Sequence, residues 1–138
     1  MSAVCTILIP VDGSENSSRA VRFAIRLHRD LAPLTIHLLY VQVPSVAMSG
    51  SPAGGKSAAV EPDGALGPAK AMLDAAGVPH SSHVASGFVG STVVAYAREQ
   101  GCASIVMGTR GMGSTEEFLG SIARQVVLLA EVPVTLVK

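Results

Sequence analysis

The residues whose types and spacing suit chemistry concentrate in one stretch, Ser104-Ile105-Val106-Met107-Gly108-Thr109-Arg110-Gly111-Met112-Gly113-Ser114. It continues through Thr115-Glu116-Glu117-Phe118-Leu119 into Gly120-Ser121-Ile122-Ala123-Arg124. The short apolar run reads as a buried parallel strand, the glycines permit tight turns and close backbone approach, and Ser121 opens a run with helical periodicity. Strand, glycine loop and helix in that order have the layout of a phosphate cradle. A helix N-terminus offers unpaired backbone N–H groups and a partial positive charge, and glycines remove the side chains that would hold a phosphate away.

Two familiar phosphate loops do not account for the stretch. Gly108, four residues, Gly113 and then Ser114-Thr115 imitate a P-loop, but no lysine precedes the hydroxyl residue. Gly111-x-Gly113 opens a dinucleotide fingerprint whose third glycine position holds Glu116. What remains is Gly108-x-x-Gly111, eight residues, and Gly120-Ser121.

The elements that must position this stretch follow from periodicity. Residues 4–11 form a continuous apolar run suited to a strand buried on both faces, with Pro10 near its end where a missing donor is tolerable. Asp12-Gly13-Ser14 then turns the chain into a helix, with Ser14 as N-cap and Glu15 in the first turn. Ala20, Ala24, Leu27 and Leu31 give that helix its inward face, and Pro33 stops it. A second strand covers 35–43. Residues 44–68, rich in Pro, Gly, Ala and Ser, read as a flexible excursion, longer than the ~12–15 residues usual for a loop.

A short helix over 69–76 closes on Gly77, and the more polar run 78–86 suits a sheet edge. A helix over 91–100 turns Val93, Val94 and Ala97 inward and ends at Gly101. After Ser121, the positions Ile122, Val126 and Leu129 with Ala123, Val127 and Ala130 predict a helix with a broad apolar face, and 132–137 is the last strand. Strands alternating with helices specify an α/β domain with a parallel sheet and right-handed crossovers; the expected form is a single doubly wound, Rossmann-like domain over 1–138, with a five-stranded, mainly parallel sheet in the order 3-2-1-4-5 and helices on both faces. In that order the first and fourth strands are neighbours at the topological switch point. Val11-Asp12 and Met107-Gly108 therefore converge on one crevice.

Composition narrows the function classes. The 138 residues make one domain, 49% hydrophobic and only 14% charged, with ten basic residues against ten acidic. No basic field draws in nucleic acid or anionic lipid, so neither is expected as a partner. The apolar runs are too short to cross a bilayer, and the first strand pattern begins at once with no basic segment before it, so a cytoplasmic protein is expected. Cys5 and Cys102 read as buried free thiols in a reducing compartment. His80-x-x-His83 has no cysteine or carboxylate partner nearby and reads as a solvated strand edge rather than a metal site.

The segments IVMGTRG and LGSIARQVV, the opening ILIPVDGSENSSRAVRFA and the ending VPVTLVK resemble the universal stress protein family. Its nucleotide-binding members carry Gly-x-x-Gly, nine residues, then Gly-Ser or Gly-Thr. The resemblance implies a crevice for ATP, or ADP or AMP, with or without Mg²⁺, entered from the strand ends at Pro10 and Val11. It places Asp12 and Gly108 at the ribose, Val41 and Met107 around the adenine, and Gly111, Gly120, Ser121 and Ile122 around the phosphates. Arg110, inside the loop, is expected to contact phosphate. Asp12 taken alone is also ordinary turn chemistry before a glycine, and Ser121 alone is also a helix cap.

The resemblance further implies a stress regulator with an unidentified protein partner, at most a slow ATPase since the loop carries no lysine. It implies a homodimer as well, formed by pairing the open edge at 133–137 with its copy. One departure counts against nucleotide. The loop is one residue short of the pattern and holds Glu116 and Glu117, and a carboxylate about 4 Å from a phosphate costs from ~1 kcal/mol in water to ~4 kcal/mol at intermediate dielectric. The rival reading is a nucleotide-free dimeric interaction module of the same fold. A flavin- or dinucleotide-dependent oxidoreductase fits poorly, for want of the glycine fingerprint.

Overall fold

A computed structural model of the chain describes residues 5–44, 61–109 and 119–138. Five strands, β1 (Cys5–Pro10), β2 (Leu34–Gln42), β3 (His80–Ser86), β4 (Ser104–Gly108) and β5 (Val134–Val137), alternate with the helices α1 (Glu15–Asp30), α2 (Pro62–Ala76), α3 (Val89–Glu99) and α4 (Ser121–Leu129). All strand pairings are parallel, as the alternation predicts, and the order is the expected doubly wound β3-β2-β1-β4-β5.

Side-chain alternation along the strands divides the interior into two layers. Ile7, Ile9, Ile36, Leu38 and Val106 meet α1 and α2 on one face. Leu8, Leu39, Val41, Ile105 and Met107 meet α3 and α4 on the other. Each fully buried leucine or isoleucine in these layers is worth about 1.5–3 kcal/mol of transfer free energy. β1 and β4, both central, carry the layers across the switch point.

Local chemistry sets the helix ends. At α1 the Ser14 hydroxyl accepts from the Ser17 N–H at 3.2 Å, which satisfies one of the orphan donors of the first turn. At α2 the chain enters through Pro62 in the first turn, where the missing N–H costs nothing. It leaves through Gly77 at φ 70°.

Several expectations are corrected. α2 begins at Pro62, not 69, and runs through Pro68. The proline and glycine density is outweighed there by Ala65, Leu66, Ala69 and Leu73, which lie on one face and bury themselves against the α1 layer. The remainder of the 44–68 excursion, 45–60, lies outside the described residues. α4 buries only Ala123 and Val126, and leaves Ile122, Val127, Leu128 and Leu129 exposed, so its apolar face is not a core face in the single chain. Cys102 is buried, but Cys5 is only half-buried; both are free thiols. His83 is not simply solvated: it stacks on His37 at 5.4 Å and contacts the Tyr96 ring at 5.3 Å, while the Tyr96 hydroxyl lies 3.0 Å from His37 Nδ1. His80 bonds through Nδ1 to the Val78 carbonyl at 2.8 Å.

Candidate functional site

The switch point opens into a crevice of about 410 Å³, on the α3 and α4 side of the sheet. That volume falls within the ~300–1,000 Å³ typical of small-molecule sites. Pro10, Val11 and Asp12 reach it from the end of β1, Val41 from β2, and Met107 and Gly108 from the end of β4. Gly120, Ser121 and Ile122 reach it from the start of α4. Nine of the residues singled out from sequence are thus brought together; the other two, Arg110 and Gly111, lie outside the described residues, as do Glu116 and Glu117. Sequence reasoning missed Ser17, Leu39, Val89, Thr109 and Ala123, which also line the crevice. The inward alternation of β2 would have revealed Leu39, two positions before Val41.

The lining is mixed in chemistry. Leu39, Val41, Val89 and Met107 bring apolar side chains to it, and Asp12, Ser17, Thr109 and Ser121 bring oxygens. Asp12 is held in place by its own turn: its Oδ1 accepts from the Ser14 N–H at 2.9 Å. This turn bond and a ligand role are compatible, since a carboxylate has about four acceptor positions. Nearby, burial and then the negative charges of Glu61 and Asp12 push the Tyr40 phenol above its ordinary value.

The glycine loop begins and ends at one point. The Gly120 N–H donates to the Thr109 carbonyl at 2.7 Å, and the Thr109 N–H donates to Val137 at 3.2 Å. The start of α4 is thereby fixed against the end of β4. Gly120 itself, not Ser121, is the N-cap of α4 and supplies no side-chain cap bond. Ser121, Ile122 and Ala123, the first three helical residues, all line the crevice. Their N–H groups belong to the orphan donors of a helix start, with the positive end of the dipole behind them.

Gly108 has a structural reason for its identity. A Cβ there would meet Asn16 Cβ at 2.8 Å, the Asn16 carbonyl oxygen at 2.9 Å and its carbon at 3.0 Å. β4 therefore passes against the backbone of α1. Among the described residues no group of three or more His, Cys, Asp or Glu is arranged to hold a metal ion. Among the same residues, no helix is long and apolar enough to cross a membrane.

A doubly wound α/β domain with a switch-point crevice, an acid at the end of β1 and a glycine-capped helix at the far wall is the class that fold and site define. Within that class the chain belongs to the universal stress protein family, which it matches over residues 5–138. It is 32% identical over 139 residues to universal stress protein MJ0531 of Methanocaldococcus jannaschii, covering 96% of this chain and 81% of that protein. The solved structure of hypothetical protein MJ0577 superposes with a TM-score of 0.78 at 25% identity, covering 99% of this chain and 97% of the other. That of the universal stress protein from Archaeoglobus fulgidus in complex with dAMP superposes with a TM-score of 0.66 at 23% identity over the whole of both chains.

Proposed function

We propose that the crevice binds an adenine nucleotide, ATP with Mg²⁺ or else ADP or AMP, and that the protein is a cytoplasmic, nucleotide-responsive stress regulator. The observation that carries this reading is the convergence of Asp12, Met107-Gly108 and Gly120-Ser121 on one crevice whose lining joins apolar side chains to oxygens and a helix start. The apolar side chains of Val41, Val89 and Met107 take the base. Asp12 accepts from the ribose hydroxyls, and the uncapped N–H groups at the start of α4 receive phosphate. The dAMP held by the Archaeoglobus fulgidus protein supports the same ligand class here.

The reading includes a homodimer through β5. The Pro133 carbonyl accepts from Ile105 of β4 and the Val137 carbonyl from Thr109 just after it, and backbone polar groups alternate in direction along a strand, so those of Val134 and Leu136 face the open edge. Beside that edge α4 exposes apolar residues that a second copy would cover.

The test is direct. Freshly purified protein is denatured and any released nucleotide identified by chromatography; stripped protein is then melted with ATP, with and without Mg²⁺, and with AMP. Ligand at a hundred times its dissociation constant adds about 2.7 kcal/mol. Absence both of released nucleotide and of a saturable rise in melting temperature would favour the nucleotide-free module.

A further inference from the structure

The helix whose start lines the crevice has a small buried face. α4 buries only Ala123 and Val126, whereas α3 buries Gly90, Val93, Val94 and Ala97. The buried apolar side chains of both helices share one core layer with Leu39, Val41 and Met107. Two fixings set where α4 lies. At its cap, the Gly120 N–H donates to the Thr109 carbonyl; one turn further on, α4 meets α3 at Gly90.

That second meeting is close. Gly90 is the second residue of α3, and a Cβ there would stand 2.9 Å from both Cβ and Cδ of Gln125 on α4. Turning the exposed Gln125 side chain clears Cδ but not Cβ, which is fixed to the α4 backbone. Any side chain at 90 therefore forces the helices apart, and α4, with the smaller buried face, is the one that moves. Glycine is a poorer helix former than alanine, and this approach is the reason for it here. Both sides of the contact adjoin the crevice: Val89 precedes Gly90, and Ser121, Ile122 and Ala123 form the turn of α4 before Gln125. Held at Gly120 and pushed at Gln125, α4 tilts as a hydrogen-bonded rod and re-aims the N–H groups of that first turn.

We infer that Gly90 is a positioning residue for the start of α4: its missing side chain lets α4 seat against α3, and that seat aims the N–H groups of Ser121, Ile122 and Ala123 at the phosphate of the bound nucleotide. This rests on the nucleotide reading above. Asp12, Val41 and Met107 reach the crevice from β1, β2 and β4 rather than from α4, so the seat governs the phosphate and leaves the rest of the ligand to them.

The experiment is calorimetric titration of the wild-type protein and Gly90→Ala with AMP and with adenosine, which lacks the phosphate. To bind AMP the variant must return α4 to a seat that now holds an extra methyl group. AMP affinity should therefore fall roughly 5- to 150-fold, the usual cost of overpacking expressed as affinity, while adenosine affinity stays at the wild-type value. In the ligand-free variant the amide resonances of Ser121, Ile122 and Ala123 should shift and that of Asp12 should not. Should Gly90→Ala not fold, Gly90→Ala with Gln125→Ala, which leaves the Cβ contact alone, takes its place with the same expectation. Equal AMP affinity in variant and wild type, or unshifted α4 resonances, overturns the seat and leaves the nucleotide reading standing. An equal loss of AMP and adenosine also overturns it, since that marks a general distortion of the crevice. A wild-type protein that binds neither ligand removes the nucleotide reading, and the seat with it.

Discussion

Gly108 separates two explanations of a glycine in a binding motif. If it is glycine so that a ligand can approach, Gly108→Ala leaves the ligand-free protein as stable as the wild type and weakens only binding. If it is glycine because β4 runs against α1, the ligand-free protein itself loses stability. The geometry favours the second: the added Cβ would sit 2.8 Å from Asn16 Cβ and 2.9 Å from its carbonyl oxygen. Trimming Asn16 does not rescue the variant, because those atoms remain in every residue except, for Cβ, glycine. Both partners belong to regular elements, so relief requires moving α1 or the end of β4. Overpacking of this kind costs about 1–3 kcal/mol. An unfolding entropy of about 2.1 cal/mol/K per residue over 138 residues is roughly 290 cal/mol/K, so the melting temperature should fall by about 3–10 °C. The assay is a calorimetric melt of nucleotide-stripped protein. An unchanged melting temperature together with weakened AMP binding would refute the packing argument and return Gly108 to the ligand.

Two further perturbations address other parts of the molecule. Burial, then the charge of His83, holds His37 below its ordinary value of 6.5, so the folded state disfavours a proton that the unfolded chain accepts. Stability is full above about pH 6.5 and declines as the pH falls from there toward the lower folded value. His37→Gln should flatten that limb of melting temperature against pH, and an identical slope in the variant would show that this histidine is not the group concerned. For the β5 edge, Val127 lies on the flank of α4 turned away from Gln125, whose Cβ is 2.9 Å from where a Gly90 Cβ would stand on α3. Val127→Glu with Leu128→Glu alters residues already exposed in one chain. It should give a monomer by light scattering with AMP affinity retained; a dimer that persists would exclude this edge and α4 as the interface.

Most of the fold was legible because burial here is periodic. The continuous apolar runs at β1 and β4 mark strands covered on both faces, and Ser14, Gly77 and Gly101 mark helix ends by chemistry that acts within a few residues. α2 was misread because Pro62, Gly64, Gly67 and Pro68 speak against a helix locally, while the reward for forming one comes from packing on α1. The stripe of Ala65, Leu66, Ala69 and Leu73 carried that signal. α4 shows the converse: its apolar pattern was real, yet periodicity cannot say whether an apolar face meets the same chain or another. The crevice followed from topology, since strand order alone brings β1 and β4 together. Ser17 and Val89 did not, because each reaches the crevice only through the packing of its helix on the sheet.

The glycines of the motif are consequently not one signal. Gly108 answers to the approach of α1, a constraint that the protein keeps without ligand. Gly120 answers to the start of α4: as N-cap it brings no side chain to occupy the first-turn N–H groups, and its own N–H is spent on Thr109 at 2.7 Å. A serine at 120 would be a better cap for the helix by only a few tenths of a kcal/mol, and its hydroxyl would compete for the donors that the nucleotide reading gives to phosphate. The two positions stand at the two sides of one loop, and the Gly120 N–H that donates to the Thr109 carbonyl holds the end of β4 and the start of α4 together across it.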